Sequence, residues 1–105
     1  MPDNEKHIVG PVLLPGKVAD AIVMALRECN QRVAVTDRGG YLRVSVLGSC
    51  TLTEEAVSHW LGAPFRLPSD LERVMPSFRG RMNIEGGKVS WSVQGDTSKL
   101  GKEGS

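Results

Sequence analysis

Two adjoining stretches decide the fold class: Lys17-Val18-Ala19-Asp20-Ala21-Ile22-Val23-Met24-Ala25-Leu26-Arg27-Glu28-Cys29, and then Val33-Ala34-Val35-Thr36-Asp37-Arg38-Gly39-Gly40-Tyr41-Leu42-Arg43-Val44-Ser45-Val46. In the first, Val18, Ala21, Ile22, Ala25, Leu26 and Cys29 recur at the spacing that lines one face of an α-helix over three turns. Lys17, Asp20, Arg27 and Glu28 fill the rest of the wheel, and Asn30 supplies a stop. In the second, the period changes to two. Leu42, Val44 and Val46 share one side, and Asp37-Arg38-Gly39-Gly40 is turn chemistry. A helix followed directly by a β-hairpin predicts an α+β domain.

The pattern extends both ways. His7 to Leu14 reads as a strand interrupted by Gly10-Pro11, hence an edge strand or a kinked one, because proline has no N–H for a ladder. After the hairpin, Thr53 is a helix N-cap, Glu54 and Glu55 suit the first turn, and Gly62-Ala63-Pro64 ends the helix. Val57, Trp60 and Leu61 are expected to face inward. Phe65 to Leu71 reads as a turn or a one-turn helix, with Phe65 in the core. Phe78 to Ile84 reads as one strand, joined through Glu85-Gly86-Gly87 to Lys88-Val89-Ser90-Trp91-Ser92-Val93 in a second hairpin. The expected architecture is two β-α-β-β-like units, with antiparallel sheets packed on two helices. Residues 1–6 and 94–105 are polar and read as a mobile arm and a mobile tail, leaving 7–93 as a single domain.

Composition narrows the function. Thirteen Lys and Arg against twelve Asp and Glu give a formal charge of +1, which argues against a nucleic-acid binder held by a basic face. No apolar run approaches the ~20 residues of a membrane span, and the N-terminus lacks the apolar core of a signal peptide. The cysteines, Cys29 and Cys50, are too few for a disulfide scaffold and fit a reducing cytoplasm. Cys29 lies on the apolar stripe and reads as a buried, inert thiol. His59 reads as a solvated helix residue, so no metal ligand set forms. There is no nucleophile elbow, no phosphate-cradling loop and no catalytic carboxylate pair. The expectation is a protein without cofactor or active site that works by contact.

Four motifs then carry a resemblance: Val9-Gly10-Pro11-Val12; Val35-Thr36-Asp37-Arg38-Gly39-Gly40-Tyr41-Leu42-Arg43-Val44; Leu61-Gly62-Ala63-Pro64-Phe65; and Met75-Pro76-Ser77-Phe78-Arg79-Gly80-Arg81. In this order, the chain resembles the effector, or coupling, proteins of soluble multicomponent di-iron monooxygenases, nearer the aromatic and alkene group. The resemblance implies a cofactor-free regulator that binds the di-iron hydroxylase and couples NADH use to hydroxylation or epoxidation. It also implies competition with ferredoxin or reductase for that partner. Its contact candidates are Asp37, Arg38 and Tyr41 at the first hairpin, and Pro76, Ser77, Phe78, Arg79, Gly80 and Arg81 on the later loop and strand. The alternative is a small RNA-binding or other protein-interaction domain of ferredoxin-like shape, using Tyr41, Arg43, Phe78 and Arg81.

Overall fold

The computed structural model describes residues 7–93, so the expected arm at 1–6 and tail at 94–105 lie outside the described residues. In chain order the elements are β1 (Ile8–Leu13), α1 (Lys17–Cys29), β2 (Ala34–Asp37), β3 (Leu42–Leu47), β4 (Ser49–Thr53), α2 (Glu54–Leu61), α3 (Ser69–Glu72), β5 (Ser77–Arg79), β6 (Arg81–Glu85) and β7 (Lys88–Ser92). The strands form two antiparallel sheets, one of four strands in the order β2-β3-β1-β5 and one of three in the order β4-β7-β6. The α+β class holds, and both hairpins form as expected.

The apolar stripe of α1 drives the packing. Ala19, Ala21, Ile22, Ala25 and Leu26 are buried with Val9, Leu13, Val44 and Val46 of one sheet and Cys50, Leu52, Val89 and Trp91 of the other. One core therefore joins both sheets. Asn30, the expected stop, also has a tertiary role. Its side-chain Nδ2 donates to the Leu26 carbonyl at 2.9 Å and to the Thr51 carbonyl at 2.8 Å, while its Oδ1 accepts from the Thr51 N–H at 3.0 Å. The amide thus pairs with β4 as a neighbouring strand would.

At α2, the Thr53 Oγ1 accepts from the Ala56 N–H at 3.1 Å, and Gly62 closes the helix in the left-handed conformation. Two α2 side chains tie down the next loop. Ser58 Oγ accepts from the Phe65 N–H at 3.0 Å, and Glu54 Oε2 accepts from the Leu67 N–H at 2.8 Å. Phe65 is buried, as expected.

Several expectations need correction. Strand β1 is not an edge: it lies between β3 and β5. The kinked alternative is the one that fits. Pairing to β3 runs through Ile8 and Val9 and resumes at Val12 and Leu13, skipping Gly10-Pro11. A Cβ on Gly10 would stand 2.6 Å from the Val44 carbonyl oxygen, so the two backbones meet closely where the ladder lapses. The single strand expected over Phe78 to Ile84 is two strands in different sheets, broken at Gly80. Gly80 has a φ of 105°, and a Cβ there would lie 2.7 Å from both the Ser92 carbonyl oxygen and Val9 Cγ1. Strand β4 was not expected. Trp60, expected inside, is 44% exposed, because α2 is short and buries chiefly Val57. Cys29 is only half-buried, and Cys50 is the buried thiol.

Candidate contact face

The outer face of the four-stranded sheet carries the cluster that the sequence could not assemble. Val12 pairs with Arg43 on β3 and with Ser77 on β5, so the three stand in one row across the sheet. Tyr41 precedes β3, and Phe78 and Arg79 complete β5. These six residues, Val12, Tyr41, Arg43, Ser77, Phe78 and Arg79, line an open groove of about 390 Å³. Tyr41 and Phe78 are 39% and 41% exposed, a large aromatic area left to solvent in a domain with few aromatic residues. The lining holds two guanidinium groups and no carboxylate. Such a face suits a partner surface that is apolar at its centre and acidic at its edge.

Of the nine contact candidates, the structure brings Tyr41, Ser77, Phe78 and Arg79 together. Asp37 is spent on the turn, where its Oδ1 accepts from the Gly39 N–H at 2.8 Å. The Arg38 N–H donates to the Tyr41 carbonyl at 2.9 Å and closes the same loop, leaving both side chains outside the groove lining. Pro76 is exposed just before β5. Gly80 is half-buried at the joint between the sheets, with no room for a side chain. Arg81 opens β6, in the other sheet. Val12 and Arg43 also line the groove and are not among those nine candidates. The signal was the strand alternation, which sets Val12 opposite in phase to the core residues Val9 and Leu13. Three of the four residues of the RNA-binding alternative, Tyr41, Arg43 and Phe78, also meet in this groove, and Arg81 does not.

Elsewhere the chemistry is sparse. Among the described residues, no three His, Cys, Asp or Glu side chains are grouped so as to hold a metal ion. Burial, with a smaller contribution from Cys29 nearby, pushes the Cys50 thiol up to about 12 from 9.0, which leaves it protonated and unreactive at neutral pH. Among the described residues no helix is long and apolar enough to cross a membrane.

Comparison with known proteins agrees with this architecture. The sequence pattern of the MmoB/DmpM family matches residues 7–92. The effector subunit of the alkene monooxygenase system of Xanthobacter autotrophicus (strain ATCC BAA-1158 / Py2) is 35% identical over 91 residues, covering 85% of this chain and 89% of that protein. Among solved structures, a phenol hydroxylase–regulatory protein complex contains a chain that superposes with a TM-score of 0.71 at 12% identity, over 81% of this chain and 95% of that one. The soluble methane monooxygenase regulatory protein B superposes with a TM-score of 0.65 at 23% identity, over 93% of this chain and 74% of that one.

Proposed function

Because the chain belongs to the MmoB/DmpM family, we propose that it is a non-enzymatic effector of a multicomponent di-iron monooxygenase and that it docks on the hydroxylase through the outer face of its four-stranded sheet. The observation that carries this reading is the groove formed by Val12, Tyr41, Arg43, Ser77, Phe78 and Arg79. Its aromatic centre supplies area that is desolvated on contact, and its two arginines supply orientation and on-rate. The similarity to an alkene monooxygenase effector supports a partner of the alkene or aromatic type. A cytoplasmic setting goes with the two free thiols.

An effector of this kind changes turnover only through its differential affinity for two hydroxylase states. A preference of ~1–3 kcal/mol shifts their ratio 5- to 150-fold. A docking area of ~800 Å² per partner is ample for that difference. Tuning of substrate access and oxygen activation then follows from which hydroxylase state is populated, with no group of the effector entering the chemistry.

The test is reconstitution. Titrating the full chain into its hydroxylase, ferredoxin and reductase should raise product formed per NADH to a plateau, and Phe78→Ala should move that plateau to higher effector concentration. An unchanged yield per NADH at every stoichiometry sinks the proposal.

A further inference from the structure

Strand β6 forms one edge of the three-stranded sheet, and among the described residues no strand lies beyond it. Its residues Arg81, Met82, Asn83, Ile84 and Glu85 pair continuously with β7, with no bulge or proline to turn the edge away. The turn that joins the two strands fixes which main-chain groups are left over. Gly86 and Gly87 form a two-residue loop with φ of 57° and 77°, so Glu85 and Lys88 flank it as a hydrogen-bonded pair. Such pairs alternate along an antiparallel ladder. Arg81, Asn83 and Glu85 therefore turn their main-chain groups to β7, while Met82 and Ile84 turn theirs outward. The opposite edge of the sheet is closed differently, by the Asn30 amide on both main-chain groups of Thr51. The side chains of β6 are also ordered about its centre. Arg81, Asn83 and Glu85 are exposed on the outer face, and Met82 and Ile84 are half-buried against the core. Counted from Asn83, a large apolar side chain stands one position away on each side, with an arginine two before and a glutamate two after.

We propose that β6 is a self-association edge whose occupant is β6 of a second copy of this chain, antiparallel to the first and centred on Asn83. In this register Met82 of each copy exchanges N–H···O=C bonds with Ile84 of the other, which uses the groups that β7 leaves over. Arg81 of each copy stands opposite Glu85 of the other, and the two-fold axis repeats that ion pair. Glu85 then lies between Lys88 on its own β7 and the arginine across the edge. Met82 meets Ile84 on the inner face and joins the rims of the two cores. Asn83 faces its own counterpart, where each amide both donates and accepts. A shift of one residue would set apolar against polar faces. A shift of two would put Arg81 or Glu85 opposite Asn83 and lose both ion pairs. The other edge strands lack this symmetry: centred self-pairing sets Asp37 opposite Ala34 on β2 and Ser77 opposite Arg79 on β5. The contact is short, below the ~1,000 Å² of a standing interface, so the dimer exchanges with monomer and weakens with salt. It uses none of the residues that line the sheet groove and does not depend on the hydroxylase.

The experiment is sedimentation velocity on the full chain alone, from micromolar to millimolar concentration in low salt. The natural chain should pass reversibly from monomer towards dimer. Arg81→Glu and Glu85→Arg should each weaken self-association at least about tenfold, because like charges then face each other twice across the axis. An equimolar mixture of the two variants should regain the dimer, since every mixed pair again sets opposite charges at both positions. The chain carrying both substitutions should regain it too. This rescue separates the pairing from any loss of folding. Amide exchange followed by NMR reads the register: protection at Met82 and Ile84 should rise with concentration, while Asn83, paired with Ser90, stays protected throughout. Absence of a dimer at millimolar concentration, a dimer indifferent to either single substitution, or failure of the mixture to regain it overturns the proposal. So does a dimer abolished by Leu47→Ser, which would place the contact at that 62% exposed side chain instead.

Discussion

The outer faces of the two sheets are built from the same antiparallel ladders and have opposite compositions. Across the three-stranded sheet the outward rows are Ser49, Ser92 and Arg81, then Thr51, Ser90 and Asn83, then Thr53, Lys88 and Glu85. All nine are polar. Their inward neighbours, Cys50, Trp91 and Met82, then Leu52, Val89 and Ile84, are all apolar or thiol. The four-stranded sheet breaks that rule. Its outer face pairs Ile8 with Leu47, which is 62% exposed, sets Val12 beside Arg43, and carries Tyr41 and Ser77 at the same end. A sheet with one solvated face has no need of apolar groups there. Their concentration on one sheet, with complete polarity on the other, is the contrast on which the proposed docking face rests.

The largest effect should come from the dry side of the polar sheet. The Cys50 thiol stays protonated in the folded chain up to about 12, whereas a solvated thiol ionises near 9.0. The folded state thus binds this proton more tightly. Its contribution to stability is intact below pH 9 and is lost as pH rises towards 12, by up to ~4 kcal/mol at 1.36 kcal/mol per pKa unit. Urea unfolding of the natural chain and of Cys50→Ala at pH 8, 9, 10 and 11 should show the gap between them narrowing; a constant gap would mean that water reaches this sheet's inner face. Next is the joint between the sheets. Gly80→Ala places a Cβ 2.7 Å from Ser92 and Val9 at a left-handed φ, and should cost about 3 kcal/mol by the same measurement.

Affinity tests the comparison itself. Arg43→Ala with Arg79→Ala should weaken hydroxylase binding roughly 10- to 100-fold, while Asn83→Ala with Ser90→Ala on the polar sheet should leave it unchanged. Equal effects of the two pairs in calorimetric titration would erase the distinction between the faces. The smallest effect expected is Thr53→Ala, where loss of the cap to Ala56 should cost about 1 kcal/mol of stability and leave affinity alone.

Much of the fold was legible because it is local. The α1 stripe, the Thr53 cap, the Gly62 stop and both hairpin turns each depend on residues within a few positions of one another. Strand β4 was not read from the sequence: Ser49-Cys50-Thr51-Leu52-Thr53 alternates, but the run is short and passes directly into the helix that follows. The candidate site was legible only in pieces. Tyr41, Ser77, Phe78 and Arg79 were in view, but Asp37 and Arg38 looked equivalent to them until the turn was seen to use the Asp37 carboxylate and the Arg38 N–H. Trp60 illustrates the limit from the other side. Its helical position suits burial, yet α2 ends before any element covers it.

The sequence by itself determined where the two longer helices begin and end, the two hairpins, the α+β class and the family, because periodicity, capping and turn chemistry act over one or two turns of chain. Only the tertiary structure decided that β1 is interior, that Gly80 sends β5 and β6 to different sheets, and that Val12, Arg43 and Phe78 meet. Partner choice among strands is settled by long-range burial, by whether Gly10 and Gly80 leave room for neighbouring backbone, and by which faces the shared core has already consumed.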